Sequence, residues 1–124
     1  MGINSMQKGK KAESEFINRF QPFFPDTIKR NLLQTREGGS DVTGAHPWVI
    51  EIKRCEKVEH NKWWKQVNAA VIDLDNEIPV VAYRQNFGGW NFQIPSMMLG
   101  ISDEGYILVS EDIWLKMLFK SQGK

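Results

Sequence analysis

Apolar and polar positions recur along this chain with two different periods, and the places where the period changes mark its elements. Over residues 7–20, Ala12, Phe16, Ile17 and Phe20 recur at helical spacing, while Lys10, Lys11, Ser14 and Asn18 take the other face. Ser5 or Asn4 can cap the start of this helix, and Pro22 and Pro25 end it. Thr27 to Gln34 reads as extended, and Thr35 to Ser40, with Gly38 and Gly39, reads as a turn. A short strand is expected to begin at Ser40 or Asp41. Gly44 to Pro47 turns the chain back, and Trp48 to Arg54 is the clearest strand.

In the second half, a helix is predicted over about His60 to Asp75, with Trp64, Val67, Val71 and Leu74 as its buried stripe. The nearly unbroken apolar run from Pro79 to Tyr83 suits a central strand covered on both faces. Asn86 to Gly89 reads as a turn, Trp90 to Ile94 alternates as a half-exposed strand would, and Gly100 to Gly105 is a loop before a short strand at Tyr106 to Val109. Ser110, followed by Glu111 and Asp112, caps a last helix through Lys120. The order predicts one α/β domain over residues 1–124, a central mixed sheet flanked by helices.

Composition excludes several classes. No apolar run of about 18 residues exists, so no membrane span is expected. The polar, lysine-bearing start lacks the apolar core of a secretory signal. Cys55 is the one cysteine, which excludes an intrachain disulfide and fits a reducing, cytoplasmic setting. His46 and His60 lack the spacing of a zinc centre, and no Walker pattern follows Gly38-Gly39, so no nucleotide cofactor is expected. Net charge is only +1, but residues 1–65 hold twelve Lys and Arg against eight Asp and Glu, net +4, and the remainder is net −3. That asymmetry favours a polyanionic partner.

The basic half also holds the candidate chemistry. Successive strand side chains face opposite ways, so Ile50 and Ile52 enter the core while Glu51 and Lys53 share the other face. With Asp41 before the strand and Glu13 at the border of the first helix's apolar face, carboxylates suited to Mg²⁺ or Mn²⁺ could gather beside an amine. The carbonyl of Ile52 could add a further oxygen. Each piece has a plain alternative. Glu51 and Lys53 also fit a surface ion pair worth ~0–1 kcal/mol. Asp41 also fits a turn, and Glu13 an ordinary helix-surface acid.

Taken together, GKKAE at 9–13, KRN at 29–31, GGSD at 38–41, IEIKR at 50–54, WWKQ at 63–66 and PVVAYR at 79–84 resemble the PD-(D/E)XK nuclease superfamily. Within it the chain is most similar to small archaeal-type and phage Holliday junction resolvases, over about residues 8–84. The resemblance implies a restriction-endonuclease-like core and a Mg²⁺-dependent endonuclease that leaves 5′-phosphates. Asp41 and Glu51 would ligate metal with the Ile52 carbonyl, Glu13 would complete the shell, and Lys53 would position or activate water. It further implies a homodimer acting on branched DNA in the cytoplasm, the host's cytoplasm in the case of a phage protein. A general phage or repair nuclease, or a non-catalytic DNA-binding protein, would share these motifs. Ser40 stands where the name motif has proline, and residues 95–124 match no resolvase element.

Phosphate contacts are expected from Lys10, Lys11, Lys29, Arg30, Arg36, Arg54, Lys57, Lys62 and Lys65, with Gln66 as a further candidate from the resemblance. No base-reading module is present, so structure-selective recognition of branched or duplex DNA is expected. Trp64 fits the core stripe, which leaves Trp63 as the better candidate for stacking on an exposed base.

Overall fold

In a computed structural model, residues 5–31, 40–85, 88–101 and 104–122 are described, with residues 5–10 as backbone alone. Arg36, the Gly38-Gly39 pair, the side chain of Lys10, and parts of the expected 86–89 turn and 100–105 loop lie outside the described residues.

Helix α1 (Ser5–Phe20) opens the chain. Its stripe of Ala12, Phe16 and Phe20 is fully buried, as the helical period requires. Strands β1 (Lys29–Arg30) and β2 (Val42–Thr43) form an antiparallel ribbon. Strand β3 (Trp48–Cys55) runs parallel to β4 (Ile78–Gln85), and helix α2 (His60–Ala70) makes the crossover between them. Strands β5 (Trp90–Pro95) and β6 (Tyr106–Ser110) then add antiparallel, giving a four-stranded mixed sheet in the order β3-β4-β5-β6. Helix α3 (Glu111–Ser121) closes the chain. Three helices around a mixed sheet make this an α/β fold. Among the described residues no helix is long and apolar enough to cross a membrane.

Helices α1 and α3 cover one face of the sheet. There Ile50, Ile52, Val80, Ala82, Phe92 and Ile94 meet Phe16, Phe20, Trp114 and Leu118 in one apolar cluster. Helix α3 seats Trp114 between Phe92, stacked at 4.8 Å, and Trp48, edge-on at 4.8 Å. Ser110 caps this helix by accepting the Ile113 N–H, as expected. Strand β6 and helix α3 therefore complete and cover the sheet. Helix α2 covers the other face over β3 and β4, in a smaller cluster of Val49, Trp63, Val67, Val81 and Tyr83.

Three expectations fail here. Helix α2 ends at Ala70 rather than near Asp75. Asp73 accepts the backbone N–H groups of Asp75 and Asn76, and Glu77 accepts those of Ile72 and Asp73, so local side chains replace the helical ladder with a turn. With the helix shortened, Leu74 is 84% exposed instead of buried. The two tryptophans also exchange roles: Trp63 is 4% exposed and packs on Tyr83, while Trp64 is only half-buried, against Tyr106. Strand β5 is buried at every position but Asn91 rather than half-exposed, because α3 covers one side of it and His60 reaches Gln93 on the other.

Candidate active site

The turn between β2 and β3 sets up the site. Gly44 takes φ of +86°, and a side chain there would run into the carbonyl of Thr27. This close approach seats β2 against the segment that leads into β1. Asp41 lies just before β2 rather than within it, and its N–H donates to the Ile50 carbonyl at 2.9 Å. Its carboxylate accepts the Ile52 N–H at 2.7 Å. Asp41 thus brackets Glu51 from both neighbours along the strand, and is itself buried at 8% exposure. Asn31 holds this segment from behind, its N–H donating to the Asp41 carbonyl and its amide to the Ser40 carbonyl.

Strand alternation sends Ile50 and Ile52 into the α1 face and leaves Glu51 and Lys53 on the opposite face, their charged atoms 3.8 Å apart. A strand residue's N–H and C=O leave on the same side, so the Ile52 carbonyl also points toward the Asp41 edge. Glu13 borders the buried stripe of α1 and holds Arg30 of β1 at 2.9 Å.

Burial, then the negative charge of Asp41, then that of Glu13, push the Glu51 carboxyl up to about 7, against the opposing pull of Lys53. Carboxylates from α1 and from the segment before β2 therefore both act on Glu51 of β3, from 38 and 10 residues away in sequence. Among the described residues, no group of three or more carboxylate, imidazole or thiol side chains is arranged to hold a metal ion. Mg²⁺ is usually held by one or two carboxylates with waters and substrate phosphate. The charges of Asp41 and Glu13 acting on Glu51 are what a hard cation would offset, and carboxylate oxygens are the donors it prefers.

The expected phosphate-binding residues divide into two groups. Lys11, Lys29, Lys57, Lys62, Lys65 and Gln66 are exposed, Lys62 with a long contact of 3.9 Å to Glu59. Arg30 and Arg54 are instead held in ion pairs, Arg30 by Glu13 and Arg54 by Glu15 at 3.3 Å. Trp63 is not available for stacking on a base, because it packs the α2 core.

The sequence reading missed Glu15, Arg84 and Tyr83. Arg84 stands beside Arg54 in the parallel register and reaches the same Glu15 carboxylate at 2.9 Å. The visible signal is the basic residue one position before the end of each strand, Arg54 in β3 and Arg84 in β4. Tyr83 stands beside Lys53 in the same register, and its hydroxyl meets His60 Nε2 at 2.9 Å. Burial lowers the His60 pKa and raises that of Tyr83, so the pair stays neutral.

Set against known proteins, the chain matches no family model and no curated relative.

Proposed function

We propose that this protein is a metal-dependent, structure-selective DNA endonuclease with a restriction-endonuclease-like core, and that as a homodimer it resolves four-way DNA junctions. One observation carries the reading: Asp41 and Glu13, from two other elements, both bear on the largely buried carboxyl of Glu51 on β3, at the side of Lys53. Burial is the largest cause of the raised Glu51 pKa, and the two neighbouring carboxylates add to it. Carboxyls perturbed by burial and by specific charged neighbours gather at functional sites.

In this reading Asp41, Glu51 and the Ile52 carbonyl hold Mg²⁺ or Mn²⁺, with Glu13 at its border. When bound, the cation supplies charge neutralisation at the scissile phosphate and a stronger water nucleophile. Lys53 orients the attacking water and offsets charge as it builds on phosphorus. Attack is in line, the bond to the 3′-oxygen breaks, and the products are a 5′-phosphate and a 3′-hydroxyl. Glu51 and Asp41 are kept in place by backbone contacts to β3, so the site needs little reorganisation. Exposed lysines on α1, β1 and α2 supply sequence-independent phosphate contacts.

The homodimer follows from the resolvase resemblance, and a groove of about 630 Å³ between α2 and the segment after β5, lined in part by Trp64, Leu74, Met97 and Met98, is an apolar surface open to a partner. Two copies would bring two sites to two strands of one junction.

The test is cleavage of labelled four-way junctions, flaps, nicked and plain duplexes, with and without Mg²⁺, by wild type, Asp41→Asn and Lys53→Ala. Paired symmetrical junction cuts that need Mg²⁺ and both residues are expected. Equal cutting of every substrate would make it a general nuclease. Tight metal-independent binding without cleavage would make it a DNA-binding protein. Sedimentation of the same samples reads the dimer.

A further inference from the structure

At the C-terminal ends of the parallel pair β3 and β4, two arginines share one carboxylate. Arg54 and Arg84 stand side by side in register, on the face covered by α1. Arg54 Nη1 reaches Glu15 Oε1 at 3.3 Å, and Arg84 Nη1 reaches Glu15 Oε2 at 2.9 Å. The Arg84 Nε–H also donates to the Gly88 carbonyl at 3.0 Å, which fixes that guanidinium in place. The Arg54 Nε is buried and has no hydrogen-bond partner among the described residues. Two cations against one anion leave the group with a net positive charge and a spare donor. All three side chains keep between about a fifth and a third of their surface open to solvent.

One carboxylate, with a single charge on two oxygens, leaves the two guanidinium groups with an excess positive charge. A phosphodiester also carries a single charge on two oxygens that arginine forks engage in pairs, so it can replace Glu15 on the same donors, and it belongs to the polyanion already proposed as substrate. Strand ends of a parallel pair are also where α/β folds place ligands. On α1, Glu13 and Glu15 fall on opposite borders of the buried stripe, so the seat lies across the helix from the acid cluster.

We infer that Arg54 and Arg84 form a seat for a DNA phosphate flanking the scissile one, and that Glu15 occupies it in the free protein as a stand-in anion. This rests on the nuclease reading for the identity of its ligand. Glu15 is a competitor: DNA must displace it, so the free protein holds both arginines in place at the cost of affinity.

Two measurements test this. The first is the binding of a fluorescein-labelled four-way junction in EDTA, where no cleavage occurs, over a range of KCl. Glu15→Gln is expected to tighten binding by about fivefold, the equivalent of one partly exposed ion pair. Arg84→Ala is expected to weaken binding and lower the salt slope by about one. In the double variant the Glu15→Gln gain disappears. The second is thermal unfolding against inorganic phosphate, where Glu15→Gln gains a phosphate-dependent rise in midpoint that Arg84→Ala lacks. If wild type binds no DNA but Glu15→Gln still responds to phosphate, the seat stands and the nuclease reading falls. If wild type binds DNA while natively folded Glu15→Gln binds DNA and phosphate no better, the seat is overturned.

Discussion

The two faces of the four-stranded sheet do different work. On one, α1 and α3 close over the strands, and residues from β3 to β6 join one continuous apolar cluster. On the other, α2 packs on β3 and β4 and reaches β5 and β6 through His60, Asn61 and Trp64, leaving Leu108 of β6 half exposed. Strand β3 belongs to both. Ile50 and Ile52 are buried on the closed face, at roughly 1.5–3 kcal/mol for each such side chain. That anchorage lets Glu51 and Lys53 stand on the opposite face with unfavourable charge beside them. Stability on one side of a strand thus supports charge on the other.

The comparison can be broken most forcefully from the closed face. Trp114→Ala removes the side chain between Phe92 and Trp48 and is expected to cost about 3–5 kcal/mol in urea unfolding. The opposite face should respond in activity instead. Lys53→Ala is expected to shift stability by less than ~1 kcal/mol, since its pair with Glu51 is long and partly exposed. Junction cleavage should meanwhile fall by about 10²–10³. A variant that lost both together would put Lys53 in the core's account and remove it from the chemistry.

Glu51 sharpens the comparison through pH. Its carboxyl is held up to about 7, above its ordinary 4.5, so the folded state keeps the proton longer than the unfolded chain. Its contribution is full below about 4.5 and is lost as pH rises through about 7. Glu51→Gln is expected to flatten the fall in melting temperature across that window. If the proposed metal site is right, Mg²⁺ should raise the wild-type midpoint more above the window than below it, because a cation binds ionised carboxylates. Equal shifts at both ends would separate Glu51 from the metal. The smallest effect belongs to Leu74, whose replacement by alanine should move the unfolding free energy of the monomer by less than about 0.5 kcal/mol, as fits its exposure. A buried leucine would cost several times more.

Much of the closed face was legible in the sequence, because its signals are periodic. The α1 stripe, the alternation in β3 and the Ser110 cap are local patterns that local physics enforces. Helix α2 was read too long because hydrophobic period outweighed turn chemistry. Val71 and Leu74 continue the spacing, but Asp73 and Glu77 capture backbone N–H groups and end the helix first. That same error moved Trp64 into the core in place of Trp63. At the candidate site, Glu51 and Lys53 follow from alternation alone. The Glu13–Arg30 pair and the Glu15 fork do not, because they depend on how α1 lies across the sheet, which no short window of sequence carries.

The parallel pairing of β3 with β4 also governs how this protein comes into being. Residues 48–55 find their neighbours at 78–85 only after the whole α2 crossover has been made. Non-local pairings of this kind form late and set the pace of folding. A ribosome must therefore synthesise well past Lys53 before that lysine and its acids have a fixed geometry. Shorter nascent chains carry Glu13, Asp41 and Glu51 without the sheet that fixes them relative to one another.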